Sequence, residues 1–466
     1  MKNSLIKTLY LISLITILAF TSCTRLADRT ESIINFDHLL HLTEEIEFQG
    51  ETVHIVHIYS EYPDYGWVDA ADSGPEGITC VDDVGRAVAV YLRHYELTGD
   101  RTSLERARPL LKFVLGMQTE DGQFYNFIFR DHSINEDGIT SYKSFGWWAA
   151  RGVWALGAGY RAFQDVDPEF ASELEAALLR SFDQIDKVLE KYSSFVRINN
   201  REVPAWLIYQ FDTYGASIVS ELMFGLCDYY AATGSERVGR YLELFGEALL
   251  KMQGDNPREF PYAVFFSNPD MWHAWGNGQA QVLATAGMLL ENDEFISAAE
   301  NEVRSLYPRL ALHRMIRDFR LDDPDSKREY EQIAYNLRPM ITASLRVAEA
   351  TGNETYKTLA GLLGSWFTGN NVLGVPMYEK KTGRGFDGIN DDETLNRNSG
   401  AESTLEALYS LIELEAVHSI YRYLYSRKIS SSETDQYIEA DFIDHRGKTY
   451  RVVFDKNELS LSIENL

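Results

Sequence analysis

The sequence predicts an all-α chain folded as an (α/α)6 toroid, a double ring of helical hairpins, with small β elements flanking it at both ends. Three observations predict it. A turn recurs in YELTGDRTSLERA (95–107), YYAATGSERVGRY (229–241) and VAEATGNETYKTLA (347–360), each ending one helix at Thr-Gly and opening the next at Asp100, Ser235 or Asn353. Glycine accepts the left-handed conformation past a helix end, and Asp, Ser and Asn satisfy orphan amides at a helix start. Thr102 and Glu105 also match a capping box. The first helix of a pair is rich in small residues, as at Gly146, Ala149, Gly152 and Gly157, whereas second helices carry charges such as Glu173, Glu175 and Arg180. Small-lined helices can crowd inside a ring while charged ones face water. A repeated hairpin must bury its apolar face on its neighbours, so the repeat itself dictates the architecture.

Three further hairpins complete the ring. SFGWWAARGVWALGAGYRAF (144–163) leads through Asp167-Pro168-Glu169 into a charged helix, WHAWGNGQAQVLATAGMLL (272–290) leads into EFISAAENEVRSLY, and SGAESTLEALYSLIELE (399–415) continues to Tyr425. The toroid therefore occupies 73–427, with loop lengths usual in helical bundles. Within the preceding segment 23–72, EEIEFQGETVHIVHIYSE (44–61) alternates apolar and polar residues about Gln49-Gly50, a hairpin signal. After the last helix, SRKISSSETDQ (426–436) reads as a polar linker and 437–463 alternates again, so that 428–466 holds a short β-meander. The two β elements either meet in one sheet or stand apart.

At the start, Lys2 and Lys7 precede an apolar run from Leu9 to Phe20, too short to span a bilayer and suited to a signal peptide over 1–22. Thr21-Ser22 before Cys23 resembles a bacterial lipobox, which implies cleavage there and a lipid anchor on Cys23. The expected location is the cell envelope of a Gram-negative bacterium, periplasmic or at the outer membrane. A formal charge of −26 disfavours nucleic acid and anionic membrane surfaces as partners, leaving the anchor as the membrane contact of an expected monomer. Cys80 and Cys227 have neither a disulfide framework nor metal-ligand spacing and read as buried thiols. No phosphate loop, zinc spacing or serine elbow is present, and no cofactor is expected. An oxygen-rich loop with Asp387, Asn390 and Asp391 suggests calcium, although ordinary turn chemistry explains it as well.

In such a ring the loops feeding the first helices converge on one mouth. Most of the tryptophans fall near those helix starts, among them Trp147, Trp148, Trp206, Trp272 and Trp275. Aromatic faces stack on the apolar faces of sugar rings, although large aromatics also plug a toroid's centre. With Arg151, His273, Tyr335 and Asn336 they form the expected carbohydrate-binding set; His273 alternatively reads as a satisfied buried histidine. Two carboxylate sites stand out, Asp82 with Asp83 opening the first ring helix and Glu402 opening the last. Closure of the ring makes those helices neighbours. Carboxylates flanking a bond are what glycoside hydrolysis needs. The competing explanation is helix capping, since Ser399 and Glu402 match a capping box. Acidic residues in a first turn also complement the helix dipole, which lowers a carboxylate pKa and suits a base better than an acid.

CVDDVGR (80–86), WFTGNNVLGVPMY (366–378) and NRNSGAESTLEALYSL (396–411) resemble, in order, three motifs of the six-hairpin glycosidases, specifically the cellulase-type glycoside hydrolase family nine. The last stretch is also similar to helical tails of some bacterial glycosyltransferases. The resemblance implies an acid Glu at Glu402 and an Asp base at the first ring helix. The family's two Asp residues lie three apart, whereas Asp82 and Asp83 are adjacent, so either is the candidate base; the family's histidine-rich segment is replaced by residues 378–384. The leading expectation is an envelope lipoprotein that hydrolyses an oligo- or polysaccharide with inversion. The alternatives are a polysaccharide lyase or uronate epimerase using Tyr142, Tyr335, His273 and Arg151, and a glycan-binding lipoprotein without catalysis.

Overall fold

One hydrogen-bond scheme closes all three Thr-Gly turns. Thr98, Thr233 and Thr351 donate their hydroxyls to the carbonyls of His94, Tyr229 and Val347, and accept the amides of Asp100, Ser235 and Asn353. Between them Gly99, Gly234 and Gly352 take φ of 74°, 64° and 70°, the left-handed region that a side chain would strain. Asp100 then caps the next helix through the amide of Thr102, so the cap lies two residues before the predicted capping box.

The structure, a computed structural model, describes residues 32–466; the predicted signal peptide and Cys23 lie outside the described residues. Six inner helices follow in chain order: α1 (Val81–Thr98), α2 (Trp147–Phe163), α3 (Ala216–Thr233), α4 (Gln279–Leu290), α5 (Ala334–Thr351) and α6 (Ala401–Glu415). Each packs on the next and α6 packs on α1, which closes the ring. Outer helices Arg101–Met117, Pro168–Leu189, Glu236–Leu250, Asp293–Ser305 and Thr355–Gly364 complete the first five hairpins; the sixth ends in a single turn, Tyr421–Leu424. Small residues set the inner spacing. A side chain at Gly157 would collide with the carbonyl of Gly225, and one at Gly225 with that of Val153, so α2 and α3 touch backbone to backbone.

The two β elements stand apart. β1 (Thr43–Phe48) and β2 (Glu51–Val56) pair about Gln49 and Gly50. Among further short hairpins, β3 (Ile208–Gln210) and β4 (Thr213–Gly215) directly precede α3. β5 (Arg427–Glu433), β6 (Tyr437–Ile443), β7 (Thr449–Asp455) and β8 (Ser460–Asn465) form one antiparallel sheet in sequence order. The segment read as a linker is thus the edge strand β5, whose serines hid the alternation. Ile438, Ala440, Phe442, Tyr450, Val452 and Phe454 form its buried face, and β6 and β7 pack on the helix Tyr307–Leu312. Among the described residues no helix is long and apolar enough to cross a membrane.

Candidate active site

The N-terminal ends of α1, α5 and α6 surround a cavity of about 650 Å³ lined by Asp82, Asp83, Tyr335 and Glu402, together with Tyr59, Arg86 and Asp387. Three of the predicted site carboxylates, 320 residues apart in sequence, therefore meet. Arg86 joins them. Its Nη1 pairs with Asp83 Oδ1 at 2.7 Å, its Nη2 with Glu402 Oε2 at 3.0 Å and its Nε with Glu406 at 3.1 Å. The ion pairs continue around the ring: Glu406 holds Arg338 (2.7 Å), Arg338 holds Glu221 (3.3 Å), and Glu221 holds Arg151 (2.8 Å). Arg151, Arg338, Glu221 and Glu406 are almost wholly buried.

Burial, with the charges around it, explains the acid. Three guanidiniums, Arg86, Arg151 and Arg338, face four carboxylates, Asp83, Glu221, Glu402 and Glu406. The network is neutral only if one carboxyl keeps its proton. Burial in the barrel mouth, with Asp83 and Glu406 adding repulsion and Arg86 opposing, pushes Glu402 up to about 7. Its side chain is nevertheless 42% accessible, through the cavity. Burial outweighs the helix dipole, which would have lowered it.

The capping explanation fails for both sites. Neither Cys80 nor Gly400, the residues at the N-caps of α1 and α6, makes a side-chain cap. Ser399 donates instead to the Gly385 carbonyl at 2.8 Å. The start of α6 is held from outside: Asp387 Oδ1 accepts from the Gly400 amide (3.0 Å) and the Ser403 hydroxyl (2.6 Å). Asp387, which the sequence offered only as a calcium candidate, is a half-buried carboxylate lining the cavity, and burial raises its pKa. Its position in Phe386-Asp387-Gly388, in the loop feeding α6, was the available signal.

Asp82 and Asp83 differ. Asp83 is buried, bound by Arg86 and within 3.4 Å of the Cys80 thiol. Asp82 is half-buried; its Oδ2 accepts from Asn126 Nδ2 at 3.1 Å, and burial raises its pKa against the pull of Arg86 and Arg151.

Tyr335 does line the cavity, but its hydroxyl is engaged by Arg151 and Glu221, and burial raises its pKa. The remaining predicted sugar contacts lie elsewhere. Trp148, Trp206 and Trp272 are buried plugs whose indoles donate to the Phe124 carbonyl (2.7 Å), the Leu244 carbonyl (2.9 Å) and Glu302 (3.1 Å). His273 is buried, 2.6 Å from the Trp275 carbonyl and stacked on Trp275 at 4.0 Å, and burial pushes it down to about 4, so it is neutral. Asn336 is buried and donates to the Glu331 carbonyl, and Arg151 belongs to the central network. Trp147, half-buried, sits at the start of α2 beside Tyr335 and Gly276. Among the described residues no three acidic, His or Cys side chains converge as a metal site. Asp387 holds α6 and Asn390 bonds Thr394, so the calcium expectation gains no geometry.

No protein-family model matches this sequence, and no curated protein matches it. Solved structures do. A sugar epimerase from a ruminal bacterium superposes with a TM-score of 0.58 at 13% identity, over 83% of this chain and 97% of that one. Cellobiose 2-epimerase from Bacillus thermoamylovorans gives 0.59 at 12% identity, over 82% and 96%. A family 9 endoglucanase gives 0.47 at 15% identity, over 82% and 83%, too loose a likeness to argue from. This chain shares the fold of these two epimerases.

Proposed function

We propose that this protein is a carbohydrate-active enzyme that hydrolyses a glycosidic bond in a neutral oligo- or polysaccharide. Glu402 gives its proton to the departing glycosidic oxygen. Asp82 takes a proton from the water that attacks the anomeric carbon, which inverts that centre. The observation carrying this reading is a carboxyl raised to about 7, the surplus acid of a charge network, in one cavity with a second, amide-oriented carboxylate. Asp82 is the better base because Asp83 is committed to Arg86, whereas Asp82 faces the cavity with one oxygen unbonded.

Neutrality of the substrate follows from the lining. Among the described residues Arg86 is the sole guanidinium or ammonium lining the cavity, and it is already ion-paired with Asp83, Glu402 and Glu406. A uronate carboxylate would find no free cation, so the lyase and uronate-epimerase readings lose support; their Tyr335, His273 and Arg151 are already engaged.

A second reading draws on the neighbours named for sugar epimerisation. The same carboxyl pair would move a proton at the carbon beside a reducing-end carbonyl. Product masses from a panel of neutral glycans incubated in heavy water separate the readings. Hydrolysis adds one water per cleavage, epimerisation exchanges one carbon-bound hydrogen for deuterium, and a binding protein changes nothing. Asp82→Asn should lower kcat about 10²–10⁴-fold with the fold intact; unchanged turnover removes Asp82 from the mechanism. The reading places the enzyme in the cell envelope, tethered through Cys23. Loss of membrane-fraction recovery in Cys23→Ala tests that tether.

A further inference from the structure

A line of aromatic side chains leads away from the cavity and becomes exposed at the β3–β4 hairpin. It begins at Trp147, whose ring lies 3.5 Å from where a Cβ on Gly276 would sit, with the Tyr335 hydroxyl crowding the same point. The Trp147 amide donates to Gln210 Oε1 at 2.7 Å, and Gln210 Nε2 donates to Ser144 Oγ at 3.3 Å. Gln210, 4% exposed, thus pins the β3–β4 hairpin to the start of α2. Gly146 permits that approach, since any side chain there would strike the Gln210 amide.

The hairpin turns on two residues, Phe211 and Asp212, at φ 51° and 57°. Such turns take Asn-Gly or Asp-Gly, because both central residues need positive φ. A bulky Phe in this region is strained. It is also 48% exposed, so the strain is not repaid by burial. Tyr209, 53% exposed, stands on the same hairpin. Tyr142 lies alongside, linked through Trp148, whose ring contacts Tyr142 at 5.3 Å and Phe211 at 6.3 Å. A rigid hairpin therefore presents apolar rings to water, at a cost in local strain, on the end of the barrel that holds the cavity.

We propose that Phe211, Tyr209 and Tyr142 form an accessory sugar-binding platform that holds a stretch of the glycan chain whose scissile bond enters the cavity. The proposal rests on the functional reading above for the continuation of that chain into the cavity. Pyranose rings stack their apolar faces on aromatic rings while the tyrosine hydroxyls stay in water. A second copy of the chain fits less well: three half-exposed rings offer about 300 Å², against about 800 Å² per partner in a stable interface. The rings run from buried Tyr335 through half-buried Trp147 to the exposed hairpin, and a chain spanning that distance should bind more tightly the longer it is.

Binding is read without turnover. Purified full-length protein is run in native gels containing soluble β-glucan, mannan or xylan, then titrated calorimetrically with the matching di- and hexasaccharides. At least one polymer should retard the wild type. Phe211→Asn should weaken hexasaccharide binding about tenfold more than disaccharide binding, while melting at the same or a higher temperature because the turn is relieved. Retardation by none of the polymers overturns the proposal. So does a Phe211→Asn variant that melts lower yet binds both lengths as before, or one that dissolves a dimer seen by gel filtration. A protein that binds long chains through Phe211 but cleaves nothing removes the hydrolase reading and keeps the platform. Cleavage with unchanged length dependence removes the platform alone.

Discussion

Replacing Glu402 by Gln tests the raised acid without knowledge of the substrate. In the folded protein the Glu402 carboxyl is pushed from 4.5 to about 7. Between those values the native state keeps a proton that the unfolded chain has lost, so stability falls as pH rises through the window. Taken at face value, at 1.36 kcal/mol per pH unit, the term would be about 3 kcal/mol. The side chain is 42% accessible, and solvent screening reduces that to about 1 kcal/mol. For a chain of this length that is about 2 °C or less in melting temperature. Gln keeps the shape and cannot ionise. Calorimetric melting curves of wild type and Glu402→Gln from pH 5 to pH 8.5 should therefore diverge, with the variant gaining on the wild type by that amount as pH rises. Titrating groups not coupled to Glu402 cancel in the difference. Parallel curves would mean that the carboxyl is not raised, and the general-acid assignment would fall with it. Where turnover is found, its alkaline limb should fall near pH 7 in the wild type and vanish with activity in the variant.

Glu302 gives a parallel case in the core: it is fully buried, takes donors from Trp272 and Asn277, and is pushed up to about 8. Glu302→Gln should gain stability on the wild type as pH climbs from about 4.5 to 8, and Glu302→Ala should cost about 2–4 kcal/mol by melting, from a cavity and orphaned donors. Gly157→Ala drives a methyl into the Gly225 carbonyl and should cost about 2 kcal/mol or more in denaturant unfolding. Asp387→Ala removes both bonds at the start of α6; it should cost about 1–2 kcal/mol and lower kcat by loosening Glu402, whereas Ser403→Ala should do less of both.

The ring was legible because its turns are local chemistry. Thr98-Gly99, Thr233-Gly234 and Thr351-Gly352 carry their own hydrogen bonds and φ requirements within five residues, so each announces a helix end wherever it stands. Closure then follows from the number of hairpins, and closure alone brings Asp82 and Asp83 near Glu402. The destinations of the tryptophans were not legible. An indole beside a helix start can turn to the lumen or the core, and Trp148, Trp206 and Trp272 turn inward because a carbonyl or carboxylate waits for each N–H. The α6 start misled in the same way: Ser399 finds the Gly385 carbonyl, fourteen residues back, and Asp387 takes over the helix end. Strand β5 hid because its serines carry no hydrophobic alternation and its order comes from pairing with β6.

The centre of the toroid explains why the acid is where it is. Six small-lined helices enclose a centre with the Asp82–Glu402 cavity at one end and a cavity of about 770 Å³ at the other, where Arg93 and Arg346 grip Glu413. An apolar plug between them would be at least as stabilising as buried ion pairs. What the pairs add is direction. Arg151 to Glu221 ties α2 to α3, Arg338 ties α3 to α5 and α5 to α6, and Arg86 ties α6 to α1. Each link joins planar groups from different helices, which fixes their relative rotation in a way that methyl groups do not. With that rotation fixed, Arg86 reaches Asp83 and Glu402 together. The same network sets Asp83 and Glu406 beside Glu402 with Arg86 between them. Glu402 therefore holds its proton near neutrality, despite standing at a helix N-terminus that would favour its loss, because burial in the cavity mouth outweighs the pull of Arg86 while Asp83 and Glu406 add repulsion.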